Sequence, residues 1–139
     1  MNAGYSLIEL VVTITVATIL AAVAIPFFSQ GNVEATWFNE QAKAAVRYAQ
    51  RQAVAQRRSV YVNVTATTIT ICYNAPPGCA SPVLDLATGA AYSVAVPAGV
   101  SISAANFSFN GLGQPNPIAG VSFTAGSAIA VAAETGFVQ

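Results

Sequence analysis

Nineteen consecutive residues, Leu10 to Phe28, carry no charge, and that run constrains the chain more than any other feature. At about 1.5 Å per residue a helix of this length reaches about 28 Å, close to the hydrocarbon thickness of a bilayer. It can span a membrane, and it needs apolar cover. An acid, Glu9, stands at its edge, and Met1, Asn2, Ala3 and Gly4 include no Lys or Arg, which is unusual for an ordinary secretion signal. Ala22-Val23-Ala24 nevertheless fits the small-x-small pattern of signal peptidase, so removal of the run after Ala24 stands as an alternative. A carboxylate beside an apolar span is costly in lipid, so Glu9 either meets a cation or sits among headgroups. Pro26 has no amide proton and leaves the Ala22 carbonyl without its helical partner, which predicts a kink or a loosened turn.

The chain has 139 residues, enough for one domain and an extension. It is 55% hydrophobic and 7% charged, where soluble domains carry about 25% charge, and this points to membrane or assembly. Net charge is zero, so any nucleic-acid binding has to be local. With no His and two cysteines, the commonest metal ligand and general base are missing, and neither a metal site nor a cofactor is expected. No Ser-x-x-Lys or paired-carboxylate constellation offers another catalytic route, so the chain is not expected to be an enzyme. Cys72 and Cys79 bracket the turn-rich Asn74-Ala75-Pro76-Pro77-Gly78, and their spacing predicts a disulfide in an oxidising compartment.

Beyond Gly31 the apolar positions Val33, Trp37, Phe38, Ala42, Ala45, Val46, Ala49 and Ala53 recur every three or four residues, predicting an amphipathic helix to about Arg58. It continues the first helix unless Gly31-Asn32 breaks it. All five basic residues lie here, and Lys43, Arg47 and Arg51 repeat every four residues on one face. That stripe suits phosphates of nucleic acid or lipid, a carboxylate of another subunit, or simply a solvated face.

From Ser59 onward, short β-rich runs alternate with Gly, Pro, Asn and Ser. Strands are predicted at Val60–Val64, Thr68–Tyr73, Tyr92–Val96, Val100–Ser103, Phe107–Asn110, Val121–Thr124 and Ala128–Ala132. Thr65 to Thr67 reads as a hairpin turn, and Phe137-Val138 as a terminal strand. Only Asp85 and Glu134 are charged in this head, a surface suited to packing on neighbours, or to a weakly charged monomer.

Gly4-Tyr5-Ser6-Leu7-Ile8-Glu9-Leu10, followed by the apolar run and Pro26, resembles the signal of type IV prepilins and pseudopilins. The resemblance implies that a prepilin peptidase cuts after Gly4 and methylates the amine of Tyr5. It implies that Glu9, at the fifth mature position, meets the N-terminal amine of a neighbouring subunit, and that Pro26 marks where the helix partly melts in a filament. Tyr5 stands where the family usually has Phe, and the leader lacks the usual basic residue, which a translation start further upstream would supply.

The helix end Ala49-Gln50-Arg51-Gln52-Ala53-Val54-Ala55-Gln56-Arg57-Arg58, then Phe109-Asn110-Gly111-Leu112-Gly113 and Thr135-Gly136, is similar to the GspH/FimT group of minor pilins and pseudopilins. That resemblance implies an α+β pilin-like fold, a long N-terminal helix packed on an antiparallel β-sheet head. Its expected parts are a leader at 1–4, a transmembrane or filament-core helix at 5–30, an amphipathic helix at 31–58 and the head at 59–139. It implies a minor type IV pilin that primes or caps a filament, working with other pilin subunits, the prepilin peptidase and an inner-membrane assembly platform. The chain is expected to cross the inner membrane once, head in the periplasm, before entering the filament. A type II secretion pseudopilin is the near alternative. Some members of the group capture DNA in transformation through basic residues after the terminal Thr-Gly; here those positions are Phe137-Val138-Gln139, so a DNA receptor would rest on the Lys43, Arg47 and Arg51 stripe or on a neighbouring subunit.

Overall fold

The computed structural model describes residues 6–24, 30–76, 78–117 and 120–139. Two compact units divide the chain, residues 1–33 and 34–139. In the first, α1 covers Leu7–Ala24. It is apolar all round: Leu7, Ile8, Leu10, Val11, Val12, Ile14, Val16, Ile19 and Leu20 are all exposed, so no single face selects a core. Three threonines fit because each hydroxyl donates within the helix, Thr13 to the Leu10 carbonyl at 2.9 Å, Thr15 to Val12 at 2.9 Å and Thr18 to Thr15 at 2.8 Å. Those bonds remove the cost of an unpaired hydroxyl in apolar surroundings.

The second helix, α2, covers Gln30–Gln56, with Gly31 and Asn32 inside its helical backbone. Its stop is built from the backbone. Arg58 N–H donates to the Ala53 carbonyl at 3.2 Å and Arg57 N–H to Val54 at 3.3 Å, a Schellman pair that requires a left-handed residue between, and Arg57 takes φ 49°. The helix therefore ends two residues before the expected Arg58.

Strands β1 (Val60–Val64), β2 (Thr68–Cys72), β3 (Ser93–Ala95), β4 (Ala105–Phe109) and β5 (Pro115–Asn116) form one antiparallel sheet in the order β3-β2-β1-β4-β5. Strands β6 (Val121–Ala125) and β7 (Ser127–Val131) form a separate antiparallel pair. The β1–β2 turn is where the sequence placed it: Thr65 N–H donates to the Thr68 carbonyl at 2.9 Å, and the Thr65 hydroxyl accepts from Thr68 N–H at 3.0 Å.

The core lies between α2 and the sheets. Phe38, Ala42, Ala45, Val46, Ala49 and Ala53, all fully buried, join Val60, Val62, Val64, Ile69, Ile71, Phe107, Phe109, Phe123 and Ile129 in one cluster. Alanine at most of the helix contacts allows close approach, and the volume comes from the strand side. Phe107 links the sheets, with ring centroids 5.7 Å from Phe109 and 6.1 Å from Phe123. Buried Asn39 fastens α2 to the β6–β7 turn, donating to the Ala125 and Ser127 carbonyls at 3.1 and 3.3 Å.

Several expectations are corrected. Val33 and Trp37 belong to the apolar pattern of the helix yet stand exposed, because the buried stripe begins at Phe38. Val100–Ser103 is no strand. It follows the turn at Gly99 and touches β6 through the Ile102–Ala125 bridge and the bond from Ser103 N–H to the Thr124 carbonyl at 2.9 Å. β4 starts at Ala105 and stops at Phe109, because Asn110 turns its carboxamide inward to accept from the Leu112 and Gln114 amides, each at 3.0 Å. Phe137-Val138 forms a bridge to β7 at Val131 rather than a full strand.

Candidate functional site

Glu9 lies in the first turn of α1, exposed, its amide donating to the Ser6 carbonyl at 3.0 Å. It is the lone acid of an otherwise uncharged helix, displayed at its N-terminal end. Gly4, Tyr5 and Pro26, the predicted cleavage, methylation and kink positions, lie outside the described residues. The predicted span is helical through Ala24, and residues 25–28 lie outside the described residues; among those described, no helix is long and apolar enough to cross a membrane.

The three cations of the basic stripe lie along α2, each with its own surroundings. Lys43 Nζ pairs with Glu40 Oε1 at 3.1 Å. Arg47 Nη2 donates to the Val138 carbonyl at 3.1 Å, holding the C-terminal segment against α2. Arg51 is exposed, and Arg58, further along, lies over the Tyr73 ring at 4.1 Å. Helical spacing put three cations on one face; an acid one turn earlier and a carbonyl from the far end of the chain engage two of them, Lys43 and Arg47.

The glycine motifs converge instead. Gln50 Nε2 donates to both the Gly113 and Thr135 carbonyls at 2.9 Å, so one amide pins the loop after β4 and the Thr135-Gly136 turn to α2. Gly136 has φ 67°, and a Cβ there would meet the Gly113 carbonyl oxygen, Gln50 Nε2 and Phe109. Gly111 lies on the Arg57 backbone, where a Cβ would stand 2.9 Å from its carbonyl carbon. Sequence reasoning quoted both motifs and missed the amide that joins them, because nothing local ties residue 50 to residues 113 and 135.

Cys72 and Cys79 are disulfide-bonded with Cα atoms 5.5 Å apart. Inside their loop Asn74 donates to the Gly78 carbonyl at 3.2 Å and accepts from the Ser81 amide at 2.9 Å. With a sequence separation of 7, loop-closure entropy alone gives about 2.5 kcal/mol. Replacing both cysteines by alanine is therefore expected to lower head stability by about 2 to 3 kcal/mol in denaturant unfolding. A loss under about 0.5 kcal/mol would mean that the Asn74 bonds order the loop by themselves.

Tyr92 stacks on Tyr48, centroids 4.8 Å apart. Burial, then the Asp85 charge, then Tyr48 raise its phenol above the ordinary 10.0. Above about pH 10 the unfolded chain loses this proton while the folded head keeps it, so the unfolded state binds fewer protons and stability falls as pH rises. Thermal unfolding between about pH 8 and about pH 11 is expected to show that fall, and Tyr92→Phe to reduce it. An unchanged slope in the variant would assign the fall to other groups. Among the described residues no group of His, Cys, Asp and Glu could hold a metal.

An all-apolar helix with one terminal acid, followed by a helix-backed antiparallel head, defines the pilin class of fold. Residues 1–25 match the prokaryotic N-terminal methylation motif. The fold matches that of the Pseudomonas aeruginosa type IV minor pilin FimU in two crystal forms. One gives a TM-score of 0.60 at 15% identity over 76% of this chain and 87% of that one; the other gives 0.55 at 15% over 72% and 86%. No curated protein sequence matches the chain.

Proposed function

We propose that this chain is a minor type IV pilin, a structural subunit that enters a filament rather than a catalyst. The observation that carries the reading is a pairing: an N-terminal methylation motif over residues 1–25 in front of a head with the FimU fold. Either alone is weaker, since a pilin-like head without the motif would lack a route into a filament. In this reading prepilin peptidase cuts after Gly4 and methylates Tyr5, and the apolar helix holds the chain once through the inner membrane with the head in the periplasm. The assembly platform then moves it into the fibre, where α1 finds in other helices the apolar cover its whole surface demands. Glu9 guides docking by meeting the amine of a neighbouring subunit, which removes the cost of an unpaired carboxylate in that environment.

The same parts serve a type II secretion pseudopilin, and the cysteine loop and abrupt helix-to-strand junction favour the pilus. DNA capture by the stripe is the weaker reading, because Lys43 and Arg47 are engaged within the chain. The test is the mass of the mature N-terminal peptide from cells. A peptide beginning at methylated Tyr5 is expected; one beginning at Ile25 would make the chain an ordinary secreted protein and end the filament reading.

A further inference from the structure

An edge strand with unpaired backbone groups is a template for another strand, and folded proteins usually cover or guard it. This head covers or blunts its edges with one exception among the described strands. The free side of β6 is closed by residues 101–103, through Ser103 N–H to Thr124 at 2.9 Å and Gly126 N–H to Ser101 at 3.0 Å. The free side of β7 is closed by the C-terminal residues, through Gln139 N–H to Ala130 at 2.9 Å and Ala132 N–H to Phe137 at 2.8 Å. β5 has two residues and opens with Pro115. β3 alone stays open.

Its geometry is set by the register. Val96 N–H donates to the Thr67 carbonyl at 2.9 Å, and Ile69 faces Val94. Antiparallel pairs alternate, so Val94 bonds inward to β2 while Ser93 and Ala95, opposite Thr70 and Thr68, turn their N–H and C=O groups to the open side. No described residue bonds those outward groups. Beside them runs a groove of about 430 Å³ lined by Trp37, Gln41 and Ser93 to Pro97, and Trp37, the one tryptophan of the chain, is 59% exposed.

We propose that this edge takes an extended, uncharged segment of another filament subunit as an added strand, with Trp37 covering its side chains. The inference rests on the pilin reading and names the contact by which the head joins its neighbour. Two donors and two acceptors repeating every second residue match an extended backbone, and neither a helix nor a flat apolar surface satisfies them. No residue lining the groove is charged, so a charged side chain entering it would lose water without gaining a partner. A large aromatic beside a backbone ladder is the arrangement that concentrates binding energy in few residues.

Proline separates the outward amide from the inward one. Ala95→Pro deletes an N–H that the head itself does not use, whereas Val94→Pro removes one that pairs with β2. The full chain is expressed in its own cells, and its amount in sheared filaments is compared with its amount in membranes. Ala95→Pro and Trp37→Ala are expected to lower the filament share about tenfold or more while the Cys72–Cys79 disulfide still forms. In parallel, a benzophenone amino acid placed at position 37 is expected to photo-crosslink to an uncharged stretch of a filament subunit, mapped by peptide mass. That second arm decides the matter if Ala95→Pro fails to accumulate. Native filament content in Ala95→Pro, or an adduct on lipid or on a charged helix, would overturn the proposal while leaving the pilin reading intact. A native chain absent from filaments would overturn the pilin reading itself.

Discussion

Gly136→Ala is expected to destabilise the head by at least about 4 kcal/mol, a large share of the about 5 to 15 kcal/mol that a domain has in all. Three costs meet at this position. The backbone is left-handed at φ 67°, which a Cβ makes unfavourable by about 1 to 2 kcal/mol. The added methyl would also stand against the Gly113 carbonyl oxygen and the Phe109 ring, and overpacking of this kind costs about 1 to 3 kcal/mol. It would further displace Gln50, whose single amide serves the Gly113 and Thr135 carbonyls, and each carbonyl left unpaired costs about 1 kcal/mol or more. Gly99→Ala is the control. Gly99 has φ 84° with nothing within 4 Å of the added carbon, so only the backbone strain remains, about 1 to 2 kcal/mol. Denaturant unfolding of the two variants measures the difference, and equal losses would refute the idea that Gly136 is selected by contact rather than by backbone conformation.

Glu9→Ala is expected to leave processing intact and to cut the amount of chain in filaments by about tenfold to a hundredfold, the value of one charge-assisted bond of about 1.5 to 3 kcal/mol. Glu9→Gln keeps the shape and loses the charge, so the same deficit is expected if a cation is what Glu9 meets. The readouts are the mature peptide beginning at Tyr5 and the chain content of sheared filaments. Filament entry at the native level in both variants would remove the docking role and leave Glu9 a carboxylate at a helix terminus. The two predictions act on separate units, Gly136 within residues 34–139 and Glu9 within residues 1–33. Glu9→Ala is therefore expected to leave denaturant unfolding of the head unchanged, whereas Gly136→Ala, by disrupting the head, is expected to lower filament content as well.

Reading the chain residue by residue recovered the parts whose causes are local. The alternation of Val60, Val62 and Val64 against Ile69 and Ile71 shows which side of the first hairpin is buried, and all five are core residues. The cysteine spacing gave the disulfide. The helix end was placed two residues late, because its stop lies in the left-handed Arg57, a position the sequence does not mark as it would with glycine. Val33 and Trp37 obey the helical period and still miss the core, since periodicity defines a face but not how far along it the head extends.

What the sequence determined alone is the presence of an uncharged apolar helix with an acid at its head, since the cost of exposing such a run, and of leaving a carboxylate beside it, follows from residue chemistry in any fold. What only the tertiary structure decided is which polar groups remain for others to use. Arg47 was taken by a carbonyl 91 residues away, Gln50 by two at separations of 63 and 85, and the edges of β6 and β7 by their own chain while that of β3 was left. Such partners are set by closing the chain on itself, so no pattern within a short window of residues contains them.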